Sequence, residues 1–424
     1  MKPLLICLFF AICLNISSEI KTELKDDQSK LLFENYSSMV GQIEVIEKVS
    51  GKRCSIGSGF YINANGYIIS NYHVISDVIH HPNKFHLEFI THDEVRDSLS
   101  ILGFDVINDL AVLQNTNESN GLLILNDSDL KKGMKLYSLG NPRDLGLSII
   151  EGTYNGLLED RRIENIFFSG TLNPGMSGGP TINKAGKIVG VNVAKSGEQM
   201  GFLVPVKYLQ QLLSKIDSTG IFPVNKYYSI IEEQLLDYQN KYMTMLLEMD
   251  WEKEQFGNSQ VIKKLSQYFH DWGDTALDSD ALYEMNYSGS RTKDNIYVSP
   301  DLHTGNIALR FEWLESDELS TIQFNNLYET KFGKYLRPGY GKEEEHSKFV
   351  SKNDFVTISD QEFKTMLAMR QYKKYPQLYD VVFNAALISN HKKGLILKFS
   401  LSGVSKHNGI AFLRKFLETI EWKN

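Results

Sequence analysis

The chain has 424 residues, of which 42% are hydrophobic and 23% charged, and it carries a formal net charge of −7 at pH 7. That length gives room for two or three domains, and the composition is that of a globular protein able to bury a core. The mild acidity excludes nucleic acid as a main partner, because binding phosphates needs a basic surface.

Residues 1–18 read as a signal peptide. Lys2 supplies the positive start, "LLICLFFAICL" is an apolar run too short to span a bilayer, and the small and polar "NISSE" follows. An N-terminal membrane anchor is the alternative. A lipoprotein reading at Cys13 is disfavoured by Ile12, where a small residue belongs. No later stretch is apolar for long enough to cross a membrane, so no stable insertion is expected once the signal is removed. Cys7 and Cys13 fall inside the signal, so the exported chain, periplasmic or secreted, keeps only Cys54 and cannot form an internal disulfide. Cys54 itself reads as a small, partly buried residue.

Residues 19–36 are charged and expected to be helical. From Met39 the texture changes to short runs rich in β-branched and aromatic residues: "MVGQIEVIEKV", "IGSGFYIN", "GYIISNYHVI", "FHLEFI", "LAVLQN", "MKLYSLG", "KIVGVNVA" and "GFLVPV". Gly, Asn or Asp separates them at roughly 8–12-residue spacing, the pattern of an all-β barrel or sandwich. "NANG" at 63–66 is a hairpin signal, since Asn and Gly tolerate positive φ. "KYLQQLLSKI" closes the segment with helical spacing. Residues 217–280 are expected to be a helical linker region, with a long amphipathic helix in "YYSIIEEQLLDYQNKYMTMLLEM" and another in "VIKKLSQYF". The long helix is expected to pack on its own C-terminal domain. Residues 281–424 mix strand-like runs ("NIALRFEWLE", "YDVVFNAALI", "GLILKFSL") with helical ones ("DQEFKTMLAMRQY", "GIAFLRKFLETIEW"), which predicts a separate α+β domain of unassigned role.

Three short patterns carry the chemistry. "ISNYHVI" places His73 at the end of a β-hairpin, "NDLAVL" places Asp109 before an apolar strand, and "LNPGMSGGP" sets Ser177 between Met176 and two glycines. Singly each is bland: a turn histidine, a turn aspartate, a glycine turn. Together, in the order His, Asp, Ser on an all-β background, they form a nucleophilic system. A serine hydroxyl needs an imidazole to take its proton, and the imidazole needs a carboxylate to fix its tautomer and stabilise the imidazolium. The glycines allow a sharp turn that can aim the N–H groups of Gly175 and Ser177 at a developing oxyanion. That order is the chymotrypsin-like one, not that of subtilisins or α/β-hydrolases.

The segment resembles the trypsin-like serine proteases of the HtrA/Deg type over residues 37–216. The resemblance rests on "GSGFYINANGYIISNYHVI", "LNDSDLKKGMKLYSLGNP", "EGTYNGL", "LNPGMSGGPTINKAGKIVGVNVA" and "GFLVPV". It implies an all-β, chymotrypsin-like double-barrel protease domain ahead of the α+β domain, and an exported serine endopeptidase acting on protein or peptide substrates, unfolded chains in particular. The alternative is a protease-fold module that binds peptides or acts as a chaperone with little hydrolysis. The resemblance also implies a side-chain pocket lined by Thr171, Asn192, Val193 and Met200. None of these is charged, so cleavage after small or medium aliphatic residues is expected. It leaves a homo-oligomer open as an assembly.

Two features depart from the family. Met176 stands where Asn is usual, and where digestive relatives keep the Asp that pairs with a freshly cut N-terminus. No PDZ-like carboxylate-binding loop is recognisable after residue 220. No cofactor and no metal are expected, because His80, His81, His86 and His92 fit no zinc spacing and read as exposed loop residues. Arg161 and Arg162, in "LLEDRRIEN", read as a solvated charged hairpin, although the resemblance would give that loop a ligand-sensing role.

Overall fold

The computed structural model describes residues 28–63, 65–115, 121, 130–193, 200–276, 282–388 and 392–422. The signal-peptide expectation for residues 1–18 therefore lies outside the described residues, as does the first part of the expected helix at 19–36. The described part of that helix, α1, covers 28–36. The chain divides into two compact units. Unit 1 runs to Leu158 and resumes over Glu164–Phe222, while unit 2 comprises Glu159–Ile163 and the chain from Pro223 onward.

Unit 1 holds two closed antiparallel barrels. The first is built from β1 (Val40–Glu47), β2 (Arg53–Tyr61), β3 (Tyr67–Ser70), β4 (Phe85–Ile90), β5 (Arg96–Asp105) and β6 (Leu110–Gln114), in the order β1-β2-β3-β6-β5-β4. The second uses β7 (Lys135–Gly140), β8 (Ser148–Leu157), β9 (Ile166–Phe168), β10 (Pro180–Ile182), β11 (Ile188–Val193) and β12 (Gly201–Pro205), in the order β10-β11-β12-β9-β8-β7. Closure removes sheet edges and satisfies every ladder. The period of two is plainest in β4, where Phe85, Leu87 and Phe89 turn inward and the residues between them do not. The "NANG" turn forms because Asn63 Oδ1 accepts the N–H groups of Asn65 (3.0 Å) and Tyr67 (3.2 Å). Helix α2 (Tyr72–His80) follows β3, and α3 (Val206–Thr219) packs Ile216 against Gly103 of β5, where a Cβ would meet its Cδ1 at 2.8 Å.

Unit 2 is built on a seven-stranded antiparallel sheet ordered β15-β16-β19-β23-β22-β21-β20. Its strands are β15 (Phe269–Ala276), β16 (Glu284–Thr292), β19 (Ile307–Glu315), β20 (Val350–Ile358), β21 (Gln361–Gln371), β22 (Tyr379–Leu387) and β23 (Lys393–Val404). Two small sheets add β13 (Glu252–Phe256), β14 (Ser259–Lys264) and β24 (Glu421–Trp422), and β17 (Ile296–Ser299) with β18 (Leu302–Thr304). Central β23 is buried on both faces. Leu395, Leu397, Phe399 and Leu401 share a core with residues of α4 (Tyr227–Glu248) and α6 (Lys406–Thr419), whereas Ile396 joins a second core with Phe324 and Phe332 of α5 (Thr321–Phe332). On that second face Lys398 Nζ is buried 3.1 Å from Glu312 Oε2 and donates to the Lys331 carbonyl at 2.9 Å, so its charge is paired and hydrogen-bonded.

Several sequence expectations give way here. "VIKKLSQYF" and "DQEFKTMLAMRQY" are not helices: β14 pairs with β13 and β24, and β21 pairs along its length with β20 and β22. The helix-favouring Met, Leu, Ala and Gln of β21 yield to the ladder hydrogen bonds offered on both sides. Among its described residues the 217–280 region is accordingly a long helix followed by three strands, not a helical linker. His80 is buried, its ring 3.2 Å from the Tyr72 hydroxyl, because it falls on the inner face of α2 and not in a loop. His86 faces Glu88 at 3.1 Å. Cys54 is exposed, at the bulge where the β1–β2 register shifts between Arg53 and Ser55. Arg162 is the largest departure. Its side chain is 2% exposed, its Nε lies 2.6 Å from Asp294 Oδ1, its terminal nitrogens donate to the Gly305 and Asp294 carbonyls, and its guanidinium lies 4.8 Å from the Tyr242 ring centroid. Among the described residues no helix is long and apolar enough to cross a membrane.

Candidate active site

His73 enters as the second residue of α2, one turn after β3 ends, rather than on the hairpin itself. Asn71 takes the N-cap position but makes no cap bond, and its side chain donates instead to the Asp109 carbonyl at 2.8 Å. Asp109 is delivered by a turn that Asp105 builds, accepting the N–H groups of Ile107 and Asn108 at 2.9 Å. It then adopts φ +56°, a left-handed conformation that Asp tolerates better than most side chains. Both carboxylate oxygens meet His73: Oδ1 accepts the backbone N–H at 2.9 Å, and Oδ2 lies 2.7 Å from Nδ1. This double grip fixes the ring orientation and calls for a proton on Nδ1, which leaves Nε2 as the basic nitrogen.

Ser177 is 4% exposed and sits in a loop fastened to both barrels. Its carbonyl accepts the Ser58 N–H at 2.7 Å, and Ser58 Oγ donates to the Gly175 carbonyl at 2.7 Å. Gly178, at φ +86°, packs so closely that a Cβ there would lie 2.3 Å from the Ser58 carbonyl oxygen and 3.1 Å from the Asn71 nitrogen. The nucleophile turn is thus pressed against the segment that leads into His73. Gly175 has φ +98°, and a Cβ would meet the Asn141 carbonyl oxygen at 2.4 Å. Only glycine fits either position.

Met176 points away from the site. It is fully buried in the second barrel with Leu136, Ile166, Phe168, Leu172, Val189 and Leu203. The position that carries a polar residue in the family is here an apolar anchor.

The expected pocket residues differ in burial. Thr171 and Met200 are exposed and Val193 half-buried, flanking the paired strands β9, β11 and β12. Asn192 does not line an open pocket, because it is fully buried and its side chain is taken up by β7, β10 and the serine loop. Its Oδ1 accepts from Thr181 Oγ1 at 2.6 Å, and its Nδ2 donates to the carbonyls of Leu139 (3.0 Å) and Met176 (3.3 Å). Ser58 and the strut role of Asn192 escaped the sequence reading, since neither has a local pattern that distinguishes it from an ordinary strand residue.

Residues 57–191 match the trypsin-like peptidase domain family. Among curated proteins, a probable periplasmic DegP-like serine endoprotease of Marinomonas sp. is 32% identical over 182 residues, covering 40% of this chain and 37% of that protein. The chloroplastic Protease Do-like 1 of Arabidopsis thaliana is 31% identical over 194 residues, covering 42% of each. Among solved structures, Deg5 aligns with a TM-score of 0.41 at 26% identity, covering 46% of this chain and 97% of that one. The chain thus spans less than half the length of the curated relatives it matches. The double barrel is thus similar to trypsin-like peptidase domains, those named as DegP-like and Do-like serine proteases among them.

Proposed function

We propose that the chain is an exported serine endopeptidase that hydrolyses protein substrates through His73, Asp109 and Ser177. The observation that carries this reading is the two-point clasp of Asp109 on His73, beside a serine turn that only glycines can form. In this reading His73 Nε2 takes the Ser177 proton as Oγ attacks the scissile carbonyl. The Gly175 and Ser177 N–H groups receive the oxyanion, and imidazolium is stabilised by Asp109. His73 then hands the proton to the leaving amine, and an acyl-serine remains for water to cleave with His73 again acting as base. Thr171, Val193 and Met200 offer no charge to pair with a bound Lys, Arg or Glu, which favours small or medium aliphatic side chains before the cleaved bond. Extended, unfolded chains are the substrates, because a scissile backbone must reach a nucleophile held on a nearly buried turn. The periplasmic names of the relatives support export.

The purified chain should hydrolyse casein and take a fluorophosphonate at Ser177. Ser177→Ala should lose both while keeping its fold, with a fall in kcat on the order of 10⁴–10⁶. A folded wild-type chain that the probe never marks would sink the reading in favour of a peptide-binding module. Peptide-library profiling tests the pocket: dominant cleavage after Lys, Arg or Glu would overturn the aliphatic preference but not the triad.

A further inference from the structure

Two adjacent non-glycine residues in unit 1, Arg143 and Asp144, both lie in the left-handed region, at φ +50° and +64°. For Arg143 that conformation is strained and persists only when the surroundings impose it, while Asp tolerates it better. The surroundings are specific. Asp144 Oδ2 pairs with Arg53 Nη2 at 2.8 Å, and its Oδ1 accepts from Gln42 Nε2 at 3.0 Å. Gln42 Oε1 in turn accepts from Asn141 Nδ2 at 3.0 Å, and Asn141 Oδ1 accepts the Gly146 N–H at 3.0 Å, closing a ring around the turn. Arg53 is held from behind by the buried Glu44 (2.8 Å), which also binds Arg96 at 2.9 Å. The Arg53 guanidinium and the Gln42 amide hold the Asp144 carboxyl below the usual aspartate range, so it stays ionised in the clamp.

What the strained turn grips is the serine loop. The Arg143 N–H donates to the Pro174 carbonyl at 2.8 Å. A trans peptide holds its C=O and N–H in one plane and pointing in opposite directions, so fixing the Pro174 carbonyl also fixes the direction of the Gly175 N–H. Rotation of that plane would swap an oxyanion donor for a carbonyl dipole of the wrong sign.

We propose that Asp144, clamped by Arg53 and Gln42, is a positioning residue for the oxyanion hole: it holds the 141–146 turn in its left-handed form, so that the Arg143 N–H pins Pro174 and keeps the Gly175 N–H aimed at the reacting carbonyl. The inference rests on the peptidase reading above and deepens it. Asp144 touches no substrate, and its effect runs through the Pro174–Gly175 peptide. Because the oxyanion develops after substrate has bound, loosening the clamp lowers kcat and leaves KM in place.

The test compares D144A and D144G in the full chain, with a short chromogenic peptide substrate. Ala removes the clamp and keeps a Cβ at positive φ. Gly removes the clamp but adopts that φ without strain. D144A should lose roughly ten- to a hundredfold in kcat, short of or equal to the full loss of one oxyanion donor, with KM within about twofold of wild type. D144G should recover most of that loss. Thermal melts and circular dichroism of both variants should match wild type, since Asp144 and Arg53 are 39% and 41% exposed. A kcat for D144A within about twofold of wild type, an effect confined to KM, or equal losses in D144A and D144G overturns the inference while wild type still cleaves. A wild-type chain that neither cleaves nor takes a fluorophosphonate overturns the peptidase reading, and this inference with it.

Discussion

Met176→Ala separates what anchors the serine loop from what reacts on it. The Met176 side chain is 0% exposed and packs among seven buried residues' worth of barrel core, itself included. Truncation removes three heavy atoms beyond Cβ, about 0.8 kcal/mol each by transfer, and leaves a cavity that the closed barrel can only partly collapse. The sum falls at roughly 2–5 kcal/mol, the usual range for a buried Met→Ala. For a unit of this size each kcal/mol moves the midpoint by about 2–4 °C, so about 3 kcal/mol predicts a drop of roughly 6–12 °C. Differential scanning calorimetry should find it in the transition of unit 1. Activity well below the melt should survive within a few fold, because the loop's own bonds are made by backbone atoms: the Met176 carbonyl accepts the Gly179 N–H at 3.1 Å, and Asn192 donates to the same oxygen. A melt unchanged to within about 2 °C would refute the anchoring argument. So would a lost melt-independent activity at full fluorophosphonate labelling.

Asp109→Asn should cut kcat by about 10⁴ with little change in stability, because an amide presents the wrong partner to Nδ1; a loss under about tenfold, read by initial rates, would remove Asp109 from its role. Gly178→Ala must place a Cβ 2.3 Å from both the Ser58 carbonyl oxygen and Ser70 Oγ at φ +86°. It should therefore abolish fluorophosphonate labelling of otherwise folded protein, and normal labelling would contradict the packing described. In unit 2, burial holds the His346 imidazole below its ordinary value of 6.5 against the pull of Asp380, whose carboxylate already accepts from Arg370 and Tyr372. The unfolded chain then binds a proton that the folded unit refuses, so this stability is whole above pH 6.5 and is lost as the pH falls below it. His346→Gln should flatten that slope in urea titrations; identical slopes would count against the assignment.

The barrels were readable because short runs of β-branched and aromatic residues are punctuated by Gly, Asn and Asp, while the reading of His73, Asp109 and Ser177 rests on three short local patterns taken together. Arg162 and Asn192 are polar residues whose burial is decided by partners remote in sequence, Asp294 for Arg162 and Leu139 for Asn192, whereas His80 is buried by the face of α2 on which it falls. Charge and periodicity around "EDRRIE" suggest solvent, and nothing within several residues of it announces a buried carboxylate. β21 failed for a related reason: its Met-, Leu- and Ala-rich composition has no intrinsic preference against helix, and only the strands on either side decide it. Arg143 and Asp144 stayed hidden because no propensity scale places an Arg-Asp pair at positive φ.

The assignment of Glu159–Ile163 to unit 2 has a practical meaning for dissecting the chain. Unit 2 is not a contiguous stretch of sequence, and a fragment starting at Pro223 would be short of one internal part. Its Asp294 carboxylate, only 12% exposed, would face the place of the missing guanidinium, while the Tyr242 ring and the Gly305 carbonyl would lose the cation that now lies against them. Such a fragment starts with an uncompensated charge at its heart, a deficit on the order of 3–5 kcal/mol. A peptide spanning the five residues, added in trans, is the complement that a split version of unit 2 would require.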